Sequence, residues 1–421
     1  MTATKKIWST GLRIIVGVTL LLWIVHSIFI HEARTQAARV AILRQKLESN
    51  TISAEERAEL ERYPMELSNE FPKLPRTEQW RLGWTYGPPS LWKTLSSVRL
   101  GSLALSLVLM GSTLAIGVVR WRMVLNVHGL GLPFSRAGEI SLVAHFFNTF
   151  LLGTAGGDVM KAYYAARETH HKKTEAVVTV FVDRIVGLWS MLLFAALMIL
   201  PNFRLFERTG LRHALAHLFT APANGARELA SIIWNEPYVF AAALLLALTV
   251  AGSAFMFLAF RGGVSKKWSG ARAWLRHLPK GEHIERSLDS CREFGRQRGF
   301  LTRTVLLSMV LNFICVLQFW VLARGLDMKV SLLALCLIVP TVICVAALPI
   351  TPSGLGLREN AVVQLLAAPS IGADATDALS LSLLAWAGSA FWGALGGVLY
   401  AMFKHKHHMT KKELSAEEVE S

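Results

Sequence analysis

Charged residues that interrupt long apolar stretches are the first place to look for chemistry, because an ionisable group inside apolar sequence is costly unless it is used. Three stretches of this chain qualify. FFNTFLLGTAGGDVMKAYYAAR (146–167) carries Asn148, Gly156, Gly157, Asp158 and Lys161. EAVVTVFVDRIVGL (175–188) carries Asp183 and Arg184, and LPITPSGLGLREN (348–360) carries Ser353, Gly354, Gly356, Arg358 and Glu359. Lys161 and Arg358 each follow closely on a glycine break. That spacing sets a cation beside exposed helix-start N–H groups, a favourable anion site. Asp158 and Glu359 offer carboxylates to an ammonium, or counter-charges to those cations when the site is empty. Asp158 and Lys161 also have the i,i+3 spacing of a structural ion pair. Arg184 has the reach to snorkel to an interface. Asn148, with Asn312 and Gln318 elsewhere, suits hydrogen bonds between helices. These twelve residues of the three stretches form the candidate binding set.

The elements that must hold them are set by composition. Of 421 residues 53% are hydrophobic and only 17% charged, against about a quarter charged in soluble domains. Mean hydropathy is +0.41. Apolar windows such as IIVGVTLLLWIVHSIFI, LGSLALSLVLMGSTLAIGVV and VFAAALLLALTVAGSAFMFLAF approach or exceed the roughly 20 residues a helix needs to cross a bilayer. The fold class is therefore all-α, a polytopic helical bundle in the membrane. The net charge of +15 sits in short basic segments beside apolar runs, where the positive-inside rule expects it, so it argues against nucleic acid as a partner. The cysteines form no CxxC pair and indicate neither a disulfide framework nor a zinc site. His170, His171, His405, His407 and His408 lie among lysines and read as a solvated basic face. No HExxH, P-loop or Gly-x-Ser-x-Gly pattern occurs, and no metal or cofactor is expected.

Threading the chain through the membrane turns the charge pattern into a topology. Lys5, Lys6 and Arg13 place the N-terminus inside, and residues 1–30 read as an uncleaved anchor helix. Residues 31–93 form an external polar insert. Within it SAEE (53–56) reads as a capping box, and FPKLPRTEQWRLGWTYGPPS (71–90) reads as loop by its prolines and glycines. Residues 94–403 form the main transmembrane domain and 404–421 a cytoplasmic tail. An amphipathic surface helix is expected at LRHALAHLF (211–219). The segment from Arg261 to Arg303 holds eleven Lys and Arg against four Asp and Glu, a net +7 on the cytoplasmic side. Because basic segments flank residues 138–160 on both sides, that apolar stretch cannot be a single crossing. The same logic makes residues 330–368 begin and end outside. The expectation is about six full spans with two re-entrant broken-helix hairpins of opposite orientation. Paired broken segments of this kind are the best sequence pointer to a midplane transport site.

The three stretches, in this order, resemble the signature blocks of the lysylphosphatidylglycerol synthase transmembrane-region family, also described as flippase-like and including UPF0104-type membrane proteins. The resemblance covers roughly residues 97–402. It implies an integral protein of the bacterial cytoplasmic (inner) membrane, with both termini cytoplasmic, that moves a phospholipid with an anionic or aminoacylated headgroup between leaflets. Larger relatives add a soluble aminoacyltransferase domain; about 20 residues follow the last span here, so a transporter rather than a synthase is expected. Two departures stand out: LLGTAGGD where relatives often have Leu-Pro-Gly before the glycine pair, and Lys161 where they have Arg. Lysine keeps the charge without the bidentate fork. The competing expectation is a polyprenyl-phosphate-linked glycosyltransferase, or an accessory of cell-envelope glycan or lipid assembly. Besides the bilayer and its phospholipid, a separate lipid-modifying enzyme and a second copy of the chain are left open as partners.

Overall fold

Residues 3–49, 51–53, 56, 57, 60, 71–151, 156–168, 173–202, 224, 227, 228, 231, 232, 237–261, 294, 297, 299–347, 351–368 and 371–406 are described in the computed structural model. The expected helix at 211–219, most of the basic segment after Arg261, residues 152–155 and 348–350, Cys291, His170, His171, His407 and His408 lie outside the described residues. Within them every regular element is helical, as a lipid environment demands, since a helix satisfies its own backbone polar groups.

The helices are α1 (Ala3–Glu48), α2 (Arg76–Ser96), α3 (Leu100–Val127), α4 (Phe134–Phe146), α5 (Gly156–Glu168), α6 (Lys173–Ile199), α7 (Pro237–Arg261), α8 (Phe300–Gly325), α9 (Leu332–Ala346), α10 (Leu357–Leu366) and α11 (Ala375–Lys406). Among the described residues four apolar runs are long enough to cross a membrane, at Leu100–Val127, Thr174–Ile199, Phe300–Gly325 and Ala375–Met402, and shorter apolar stretches lie at Ala242–Phe257 and Leu332–Ala346. This is the pattern of a multi-pass membrane protein. The packing agrees. Leu105 and Val108 of α3, Leu306 and Val310 of α8, and Phe391 and Val398 of α11 are exposed on the outside of the bundle, a surface that only lipid or another apolar partner covers. Inside, Leu322, Leu335, Leu366 and Leu379 join α8, α9, α10 and α11 in one fully buried cluster that also takes in Ile28 of α1. Trp121, Ile140, Ala165 and Val180 form a second, which holds α3, α4, α5 and α6 together.

The insert departs most from its sequence reading. The boundary drawn at residue 30 falls inside a single helix of 46 residues, because residues 31–48 are strong helix formers without glycine or proline. The expected loop at 71–90 is mostly helix: after a single turn at Phe71–Lys73, α2 runs through Pro88 and Pro89. Those prolines remove two N–H donors, but tertiary contact outweighs the loss. Gly83 and Gly87 let α2 lie directly on α1, where a Cβ would come within 2.8 Å of Ile30 Cδ1 and 2.2 Å of Phe29 Cγ. Glu32, almost fully buried, then ties three helices together. It accepts hydrogen bonds from Gln36 (3.1 Å), from Ser90 of α2 (2.9 Å) and from Thr376 of α11 (3.0 Å). Gly87→Ala is expected to displace the Phe29 ring and lower stability by about 1–3 kcal/mol, the usual range for overpacking. A thermal melt of the purified protein checks this, and an unchanged midpoint would show that the α1–α2 contact is loose.

The capping box is present as expected. Ser53 N–H donates to Glu56 (2.9 Å) and Glu56 N–H to Ser53 Oγ (3.2 Å). A hydrogen bond from Lys46 Nζ at 2.5 Å holds the Glu56 carboxyl down at about 2. This tie to the end of α1 is therefore intact above the ordinary carboxylate range and is lost only as pH falls through about 2.

Candidate functional site

Both broken segments of the sequence are helix–break–helix units, and their breaks touch. In the first, α4 loosens into a π-turn at Phe147–Leu151 before α5 begins at Gly156. Asn148 reaches across the break, its Oδ1 accepting the N–H of Gly157 at 2.8 Å. Gly157 is needed for this approach: a Cβ there would lie 2.1 Å from the carbonyl oxygen of Ala144. In the second, α9 is followed by a tight turn at Pro352–Gly354. Ser353 is left-handed (φ 54°), as are Gly354 (φ 71°) and Gly356 (φ 78°); serine rarely adopts this conformation, so it is held by its contacts. Ser353 Oγ donates to the backbone carbonyl of Asn148 and lies 3.2 Å from that of Thr149. One hydroxyl thus joins the two breaks.

The charges sort differently from the spacing. Asp158 and Lys161 form no direct ion pair with each other. Each reaches instead to α6, where the consecutive residues Asp183 and Arg184 meet them crosswise. Lys161 Nζ sits 3.4 Å from Asp183 Oδ2, and Arg184 hydrogen-bonds Asp158. Crossing helices explain the exchange: α5 packs along α6, so a cross-helix partner is as near as the next turn and costs no local strain. Asp183 has a second cation, Arg120 of α3, whose Nε lies 2.8 Å from Oδ1, while Arg120 Nη1 donates to Ser308 Oγ at 3.0 Å. Gly187 leaves room for that guanidinium, 2.9 Å from where its Cβ would be. The Lys161 ammonium also stands over the Trp121 ring, 4.2 Å from its centroid, a cation–π contact. Side-chain exposure is 12% for Arg120, 13% for Lys161 and 10% for Asp183. Three cations face two carboxylates in this group, so it holds one positive charge in excess.

At the second break Arg358 pairs with its neighbour Glu359, which is fully buried and also accepts the N–H of Gly356 at 2.7 Å. One N–H at the start of each second helix, Gly157 and Gly356, is therefore taken by a side chain of the protein. No ion pair joins Asp158 to Arg358 among the described residues. Two buried donors beside this break have no protein partner, Arg358 Nε and Thr351 Oγ1. Buried polar groups are normally satisfied; Asn312 Nδ2 of α8 is another such atom among the described residues. Gln318, also read as an interhelical bonding group, is buried.

Arg120, Ser308, Trp121 and Thr149 were not singled out by sequence. Arg120 carried a signal: it is the first ionisable residue after twenty without charge, and Asp183 had no evident neutralising partner outside its own helix.

A family model described as the lysylphosphatidylglycerol synthase TM region matches residues 79–396. The chain is similar to a UPF0104 membrane protein of Methanothermobacter thermautotrophicus, 25% identical over 321 residues, covering 71% of this chain and 83% of that protein. It is also similar to a UPF0104 membrane protein of Pyrococcus horikoshii, 23% identical over 329 residues, covering 75% and 91%. No solved structure matches.

Proposed function

The chain belongs to the lysylphosphatidylglycerol synthase transmembrane-region family, and from that premise we propose that it moves a phospholipid with an anionic or aminoacylated headgroup between membrane leaflets. The observation that carries this reading is the contact of the two breaks through Ser353, with a net-cationic buried group on one side and Arg358 on the other. Irregular backbone at membrane depth is tolerated where protein or a water-filled path covers it. Such a path needs cations for the phosphate and carboxylates for an amine, and Lys161, Arg184 and Arg358 stand with Asp158, Asp183 and Glu359 for those roles. Arg358 Nε and Thr351 Oγ1, buried without partners, would gain one from a phosphate oxygen. Release of Arg358 from Glu359 on headgroup entry would free a cation without exposing it to hydrocarbon.

In this reading α1, α3, α6, α7, α8 and α11 are six full crossings of a cytoplasmic membrane. The α4–α5 and α9–α10 units enter from opposite faces, and both termini are cytoplasmic. The basic flanks of the first unit support that orientation. Single cysteines at Gly138 and Lys173, in a chain without its native thiols, are expected to label from the cytoplasmic side alone. Labelling of either from outside removes the inverted arrangement.

Transport itself is tested with the purified protein in vesicles containing short-chain fluorescent lipids of several headgroups. Leaflet exchange is expected to be fastest for an anionic or aminoacylated headgroup. Exchange no faster than in protein-free vesicles for all of them sinks the proposal. Within the same assay Lys161→Ala should lower the rate about tenfold or more, the equivalent of one charge-assisted hydrogen bond, while Lys161→Arg should retain much of it. Normal exchange by a stable Lys161→Ala protein ends the ligand role of Lys161.

A further inference from the structure

The helices α1 and α2 enclose a second feature, remote in sequence from both breaks. A groove of about 400 Å³ lies between them, lined by Trp23, His26, Arg34, Arg76 and Trp80 among others. Arg34 and Arg76 have no ionic partner among the described residues, so two arginines without a counter-charge line one groove. His26 adds a defined donor. The indole N–H of Trp84 can only donate, and it lies 3.0 Å from His26 Nδ1. Nδ1 is therefore the acceptor, and the proton of the neutral ring sits on Nε2. The Trp80 ring packs edge-on to this imidazole at 4.9 Å between centroids.

Position along α1 adds a second constraint. The groove forms where the apolar run 14–30 gives way to polar sequence, at the end opposite Lys5, Lys6 and Arg13. Trp80 and Trp84 of α2, both about half exposed, stand against His26 near that end, and Trp23, equally exposed, lies about one turn further into the run. Exposed tryptophans at the end of a span mark the headgroup level of a bilayer, and the paired arginines are suited to an anionic oxygen pair in that layer. His26, Arg34 and Arg76 all precede residue 79, where the family match begins, so the groove is built largely outside the part of the chain that the family shares.

We propose that this groove binds the phosphodiester of an anionic lipid at the membrane surface farther from the N-terminus, through Arg34, Arg76 and the Nε2–H of His26, with the tryptophan rings against the glycerol and upper acyl region. The site is distinct from the one at the two breaks, and it stands whether or not the protein transports lipid.

Native mass spectrometry of the full-length protein titrated with phosphatidylglycerol or phosphatidylcholine tests it, with a competing arm of inorganic phosphate. The measurement is made in a Lys161→Ala background as well, which separates binding at the groove from binding at the breaks. Phosphatidylglycerol should bind at least tenfold more tightly than phosphatidylcholine. The Arg34→Gln/Arg76→Gln double variant should erase that preference, and Arg34→Lys/Arg76→Lys should keep most of it. Both arginines are exposed and make no ion pair among the described residues, so neither variant should change the melting midpoint. A double glutamine variant that holds phosphatidylglycerol as tightly as the parent overturns the proposal. So does displacement of the lipid by equimolar inorganic phosphate, which would assign the two arginines to a soluble anion.

Discussion

The Asp183→Ala chain is expected to melt far below the parent, by the equivalent of about 3–5 kcal/mol, the range for removing one partner of a buried ion pair. Asp183 is only 10% exposed and faces both Arg120 and Lys161. Without its carboxylate two cations remain nearly buried; Asp158, already held by Arg184, acts on Lys161 only at longer range, and the direct contacts left are the hydroxyl of Ser308 and the face of Trp121. Neither neutralises a charge. Removing Arg120 as well relieves part of the penalty, so Arg120→Leu with Asp183→Leu should be less impaired than the two single losses added together. A double-mutant cycle on the melting midpoint in detergent reads this directly. Strict additivity, or an Asp183→Ala protein as stable as the parent, would show that the buried group does not act as a unit.

Gly157→Ala should be nearly as damaging for a different reason. The added methyl would sit 2.1 Å from the carbonyl oxygen of Ala144 and 2.5 Å from the Asn148 side chain. Backbone cannot move aside as a side chain can, so α5 must separate from α4, breaking the Asn148–Gly157 bond. Overpacking usually costs about 1–3 kcal/mol and occasionally more; a backbone clash belongs at the upper end, with lipid exchange lost before folding. The neighbouring helix offers the control. At Gly138, inside α4, an added methyl would meet nothing within 4 Å, and Gly138→Ala should raise stability by up to about 1 kcal/mol through helix propensity alone. If the two variants behave alike in thermal melts and exchange assays, close packing at the first break is not what sustains it.

What could be read from sequence follows from what each feature depends on. The two breaks were legible because glycine and proline interrupt apolar runs that would otherwise continue as helix. The reciprocal bonds of Ser53 and Glu56 were legible because a capping box is local. Partner choice was not. Asp158 and Lys161 share a helix face, yet both pair across to α6, since ion pairing inside a bundle is decided by which helices cross rather than by spacing along one of them. The helix through Pro88 and Pro89 was missed for the same reason: its stability comes from Gly83 and Gly87 lying on Phe29 and Ile30, a contact no window of sequence contains. Asn148, whose side chain suits a bond between helices, makes one, taking the N–H of Gly157 at the start of α5. Ser353 belongs to the candidate set as part of a break, while its left-handed backbone and its reach to the opposite break rest on a contact between segments 205 residues apart.

The length of α1 has a mechanical consequence. The helix touches α10 and the Pro352–Gly354 turn, and α2 lies on it around His26, Phe29 and Ile30. From residue 30 to its end it continues for about 27 Å at 1.5 Å per residue. A stiff rod pressed on near its centre is a lever: a swing of about 5° at the second break would carry the far tip through roughly 2 Å, given that length. A tilt of α1 at that contact would thus be magnified into displacement at its far end, and a load applied there would bear back on the turn that holds Ser353.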